Sequence, residues 1–146
     1  MKTSQEMLSS ILKTTQMGQV GIRSVLNASM RPGLRKALES QLQEYDSIES
    51  QAHAIAGQRG WELSDLQGGV RMMTDMMTDM MTRMKLSYGN ADTKIAGMMI
   101  QGNTRGMITG LKNLHQYNSL DCQISGLSQK LLDCETANIR QMQSFL

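Results

Sequence analysis

The sequence predicts an all-α fold, a four-helix bundle of two hairpins joined by a methionine-rich helical crossover, with residues 1–146 forming one domain. Three observations predict it. Apolar residues recur at three- and four-residue steps through four long segments, which gathers each set on one face of a helix. The chain has one proline and no β-branched runs, so strands are not expected. Between the second and third segments, Met-Met-Thr-Asp repeats with a period of four residues. A four-residue step advances only about 40° around an α-helix. Met72, Met73, Met76, Met77, Met80, Met81 and Met84 therefore share one half of a cylinder, with Thr74, Asp75, Thr78, Asp79 and Thr82 on the other.

Composition narrows the class further. The chain is 40% hydrophobic and 19% charged, which suits a folded rather than a disordered protein. Aromatics make up only 3%, so methionine, with 15 copies, takes over much of the core filling. A net charge of +2, with Lys and Arg dispersed, gives no basic patch for nucleic acid or an acidic membrane surface. No apolar run approaches the roughly 20 residues of a membrane span. No apolar core follows Lys2, so no signal peptide is expected. Cys122 and Cys134 fall on one predicted helix about 18 Å apart along its axis, too far to bond each other. Reduced thiols and a cytoplasmic address are the expectation.

The elements follow in order. Segment A, about 4–27, carries Leu8, Ile11, Leu12, Ile22, Val25 and Leu26 on one face, with Thr15, Gly18 and Gln19 on the same side. Pro32 opens segment B, about 32–57, at a position where its missing N–H costs little. Its inner stripe is Leu34, Leu38, Gln41, Leu42, Tyr45, Ile48, Ala52 and Ile55, with Glu49 at the edge. The short turn between A and B forces an antiparallel hairpin. Trp61 is expected to anchor the start of the crossover, whose helix spans about 65–87. Segment C, about 92–117, is expected to be capped by Asp92 or Thr93 and to bury Ile95, Met99, Ile100, Met107, Leu111, Leu114 and Tyr117. Gly102, Gly106 and Gly110 recur on that same side. Each costs a helix about 1 kcal/mol relative to alanine, which implies a close neighbour there. Segment D, about 120–146, presents Leu120, Ile124, Leu127, Leu131, Cys134, Met142 and Phe145. Two hairpins and a long crossover match the ferritin-like arrangement, an ordinary bundle with one extra packed helix being the alternative.

Several stretches carry a family likeness. Arg31-Pro32-Gly33-Leu34-Arg35-Lys36-Ala37-Leu38, continuing through Gln41-Leu42 to Gln58-Arg59-Gly60-Trp61, resembles spore coat F-type proteins and related uncharacterised ferritin-like bundles of spore-forming bacteria. Gly97-Met98-Met99-Ile100-Gln101-Gly102-Asn103-Thr104-Arg105-Gly106-Met107-Ile108 and the terminal Phe145-Leu146 have the same character. The resemblance covers most of the chain except the methionine repeat. It implies a ferritin-like four-helix bundle, in some members linked to the spore coat, and it says little about activity.

A ferritin-like di-iron centre takes one carboxylate from each of two helices and a Glu-x-x-His pair from each of the other two. The inward polar candidates are Gln19 on A, Tyr45 and Glu49 on B, Asn103 on C, and Glu135 with Asn138 on D. Glu135-Thr136-Ala137-Asn138 keeps the spacing with Asn in place of His, and Glu49-Ser50-Gln51-Ala52 has Ala there. His53 follows Glu49 by one turn but projects toward the rim, and His115 falls on the outer face. Glu49, Glu135, Asn138 and His53 are thus the candidate ligands for iron. The preferred reading is a dismantled site, with amides and carboxylates in a buried hydrogen-bonded layer and no cofactor. No Ser/His/Asp set, Cys-x-x-Cys or phosphate-binding loop is present.

The methionine stripe reads as core or a self-association face, ahead of a promiscuous partner groove or a Cu(I) site of thioethers. The functional expectation is a non-catalytic bundle acting through self-association, as a homodimer, or through contacts with a protein partner. The spore coat is a second candidate location. A ferritin-like metal-binding oxidoreductase is the alternative, and a small molecule between the hairpins, in space opened by the glycines, is a third reading.

Overall fold

The computed structural model describes residues 1–63, 71, 75, 78, 79, 82, 90–118 and 120–146. Four long helices are α1 (Ser4–Val25), α2 (Pro32–Arg59), α3 (Ala91–Gln116) and α4 (Cys122–Gln143), and the described residues contain no strand. Arg71, Asp75, Thr78, Asp79 and Thr82 of the connection are also helical and exposed. The seven methionines assigned to its apolar half, Met72, Met73, Met76, Met77, Met80, Met81 and Met84, lie outside the described residues.

Local chemistry sets each helix end. Thr3 caps α1 through a capping box, its hydroxyl accepting from the Glu6 N–H while the Glu6 carboxylate accepts from the Thr3 N–H. Pro32 stands at the start of α2, whose last carbonyls are closed by Gly60 at φ 68°, a left-handed conformation that favours glycine. The α2 helix therefore runs to Arg59, past the expected stop at residue 57. The expected caps of α3 are displaced as well. Asn90 takes the role, accepting from the Asp92 N–H at 3.0 Å. Asp92 is buried instead and accepts from the Arg31 N–H at 3.2 Å, tying α3 to the turn before α2. Asp121 caps α4 by accepting from the Ile124 N–H.

Contacts at the helix ends fix the directions. The Lys2 N–H donates to the Gln116 carbonyl at 2.8 Å, which brings the start of α1 to the end of α3. The Arg59 guanidinium grips Asp121 and donates to Gln123 Oε1 at 2.7 Å, which brings the end of α2 to the start of α4. The Arg59 side chain also lies 5.0 Å from the Trp61 ring centroid, in cation–π range, so Trp61 closes the end of the first hairpin. With α1 packed on α2 and α3, and α4 on α3 and α2, neighbours in this square are antiparallel. The connection from Gly60 to Asn90 must then pass from one end of the bundle to the other.

The core is continuous through the four helices. Leu8, Leu12, Leu34, Leu38, Ile48, Ile95, Ile124 and Met142 are all fully buried. At about 25 cal/mol per Å² of apolar area, burial of this kind is the main stabilising contribution. Segment C differs from expectation. Of its apolar set, Ile95 and Tyr117 are buried, Met99, Ile100, Met107 and Leu114 only partly, and Leu111 is 44% exposed.

Candidate functional site

Midway along the bundle, polar side chains from three helices converge. The Tyr45 hydroxyl of α2 lies 3.0 Å from Asn103 Oδ1 of α3 and 3.0 Å from Glu135 Oε1 of α4. Asn138, one turn beyond Glu135, donates from Nδ2 to the Tyr45 oxygen at 3.4 Å and to Cys134 Sγ at 3.6 Å. Tyr45, Asn103, Glu135 and Asn138 are all buried.

Glycines make the layer fit. A Cβ on Gly18 of α1 would stand 2.6 Å from Tyr45 Cζ, so the hydroxyl end of the phenol ring occupies the space a side chain would take there. A Cβ on Gly106 would stand 2.8 Å from Glu135 Oε1, and one on Gly110 would stand 2.9 Å from a Leu132 methyl. Two of the three expected close approaches on α3 therefore exist. The third does not, since a Cβ on Gly102 would meet nothing within 4 Å among the described residues.

Proton accounting exposes the character of the layer. A phenol carries one proton, so Tyr45 donates either to Asn103 or to Glu135 at any instant. With Glu135 protonated, its own O–H serves the Tyr45 oxygen and Tyr45 serves Asn103. Ionised, the layer is one donor short. Burial pushes the Glu135 carboxyl up to about 7, the hydrogen bond from Tyr45 opposing. Burial, reinforced by the Glu135 charge, raises the Tyr45 phenol far above its ordinary value. Burial, with Glu44 next, pushes the Cys134 thiol up to about 12, so it is an inert core group rather than a nucleophile. Glu135 Oε2 is buried and has no hydrogen-bond partner among the described residues.

A cavity of about 410 Å³ opens between α1 and α3, and Tyr45, Asn103 and Glu135 form part of its wall. Gly18 and Gly21 of α1 and Gly102 and Gly106 of α3 line it, together with Met17, Ile22, Val25, Met98 and Met99.

The candidate ligands are divided by the fold. Glu135 and Asn138 belong to the layer. Glu49 is half-buried and accepts from Gln16 Nε2 of α1 at 3.3 Å, while His53 is exposed. Gln19, assigned to the same layer by its helical position, donates instead to Asp46 Oδ1 at 2.8 Å. Among the described residues no group of three His, Cys, Asp or Glu side chains is placed to hold a metal ion. One carboxylate, one phenol and two amides do not fit a di-iron centre, which takes several carboxylates and histidines.

The Gly18–Tyr45 contact was not foreseen, and its only trace in the sequence is a glycine in the middle of a helix. The Arg59–Asp121–Gln123 clasp has no sequence signal, because its partners are more than 60 residues apart. Among the described residues no helix is long and apolar enough to cross a membrane. No family model matches the chain, and no curated protein or solved structure matches it either.

Proposed function

We propose that this protein is a non-catalytic, ferritin-like helical bundle that acts through self-association and protein contacts. The observation that carries the reading is the use made of the mid-bundle polar residues. Tyr45 joins Asn103 and Glu135, Gln16 joins Glu49, Gln19 joins Asp46, and Gln41 joins Gln141, each pair bridging two helices. Side chains held this way specify how the helices pack. The end-to-end connection between two antiparallel hairpins supports the ferritin-like arrangement. The spore coat as a setting, and a cytoplasmic address before assembly, rest on the resemblance and the cysteine chemistry.

Contact surfaces are available. Ile108 and Leu111, one turn apart on α3, are 46% and 44% exposed, and the period of the Met-Met-Thr-Asp repeat predicts a second apolar face from the sequence. The reading with Glu49 and Glu135 as an iron-binding oxidoreductase is less favoured, since Glu49 pairs with Gln16 and Glu135 with Tyr45.

Light scattering behind size exclusion tests the proposal. A dimer is expected across a wide concentration range. Met76→Asp with Met80→Asp, or Ile108→Glu with Leu111→Glu, should dissociate it with helical circular dichroism retained. A monomer at every concentration overturns it.

A further inference from the structure

Glu135 is the feature that the packing of the bundle does not account for. A buried carboxylate is ordinarily ion-paired or fully hydrogen-bonded, because burying it otherwise costs several kcal/mol. Here Oε1 is engaged by Tyr45, whereas Oε2 has no partner among the described residues and Glu135 is 2% exposed. Glu135 also lines the cavity between α1 and α3. Lys13 from α1 and Arg105 from α3 also line that cavity, yet both are exposed and neither reaches Oε2. A second carboxylate, Asp79, comes from the connection.

We infer that this cavity binds a small primary ammonium compound with an apolar body, its –NH3⁺ donating to Glu135 Oε2. Three features select that chemistry. An acceptor without a donor asks for an N–H or O–H, and a charge-assisted hydrogen bond is roughly twice as strong as a neutral one. The ammonium supplies the countercharge that no side chain among the described residues gives Glu135. Met17, Ile22, Val25, Met98 and Met99 offer soft apolar walls, and methionine adapts to irregular shapes. The volume of about 410 Å³ lies at the small end of ligand pockets. Taking the roughly 30 Å³ share of a water molecule as the unit, it holds a body on the order of ten non-hydrogen atoms.

Binding of this kind is linked to the protonation of Glu135, since the ammonium pairs with the ionised form. Tyr45 from α2 faces the carboxylate and Cys134, its neighbour on α4, feels its charge, while Lys13 from α1, Arg105 from α3 and Asp79 from the connection line the same cavity. Affinity therefore rises as pH passes upward through the raised Glu135 value.

Calorimetric titration of the whole chain with n-heptylammonium, using n-heptanol and heptanoate as shape controls, tests the site. Saturable binding of one heptylammonium per chain is expected, at least about tenfold tighter than either control. It should tighten several-fold between about pH 6 and about pH 8. Glu135→Gln should abolish the preference for the ammonium and its pH dependence, leaving the alcohol unaffected. Gly102→Leu, where an added Cβ meets nothing within 4 Å, should fill the cavity and block both probes with folding retained. Absence of saturable heptylammonium binding to the folded wild type overturns the inference. So does unchanged affinity in Glu135→Gln or in Gly102→Leu, or tighter binding of heptanoate. The outcome is independent of whether the protein self-associates.

Discussion

The helices α2 and α3 are of similar length, 28 and 26 residues, and occupy opposite corners of the bundle, but they are built differently. The α2 helix buries Leu34, Leu38, Tyr45, Ile48 and Ile55 along its whole length. The α3 helix buries Ile95, Ala96, Asp92 and Asn103, all in its first half, and leaves Ile108 and Leu111 exposed. Branched aliphatic side chains fill space to crystalline density, whereas glycine leaves gaps and exposes backbone. The cavity and the unpartnered Glu135 oxygen both lie where α3 contributes glycine. One corner of the molecule serves stability, and the other leaves room for a ligand.

The sharpest test of this contrast is Tyr45→Ala on α2. It removes a fully buried ring and strips the layer of its central hydroxyl, and should cost about 3–5 kcal/mol in urea unfolding. A loss below about 1 kcal/mol would mean that the layer is dispensable. Matched leucines give the next largest difference. Leu38→Ala should cost about 2–5 kcal/mol, while Leu111→Ala on α3 should stay within about 0.5 kcal/mol. Equal losses would erase the distinction between the two helices. Gly18→Ala drives a methyl into the Tyr45 ring and should cost about 1–3 kcal/mol.

Proton linkage supplies a subtler test. Glu135 is raised from 4.5 to about 7 in the folded state, so between those values the folded chain holds a proton that the unfolded chain has released. Stability from this group is complete below the unfolded value, falls as pH rises through the window, and levels above about 7. The slope is at most about 1.4 kcal/mol per pH unit. Comparison of wild type with Glu135→Gln should show that slope removed; an unchanged profile would place the titration elsewhere. The smallest effect is expected at Gly102→Ala, which should stabilise α3 by about 0.5–1 kcal/mol in thermal unfolding, because its Cβ enters open space.

The helices were legible from the sequence because apolar periodicity and capping chemistry are local. Pro32 marks the start of α2 in the sequence as it does in the structure, whereas the helix passes Gly57 and stops only at Gly60. The errors came where a tertiary contact competed with a local one. Asp92 has the chemistry of a cap, but the Arg31 N–H offered it a buried partner and Asn90 took the capping role. Half of the site was legible too. Tyr45, Asn103, Glu135 and Asn138 could be placed inward from helical phase alone. Phase cannot say which inward groups meet, so Gln19 and Glu49 were assigned to a layer they do not join.

What the sequence determined by itself was the presence and approximate extent of the four long helices and most of the inner faces of α1, α2 and α4, since each depends on residues within a few positions of one another. The tertiary structure alone decided that Gly18 admits the Tyr45 ring, that Gly106 admits the Glu135 carboxylate, and that Gly102 opens onto a cavity. Three glycines read alike along a chain. They differ only in what the opposing helix sets against them, and that follows from how the helices pack.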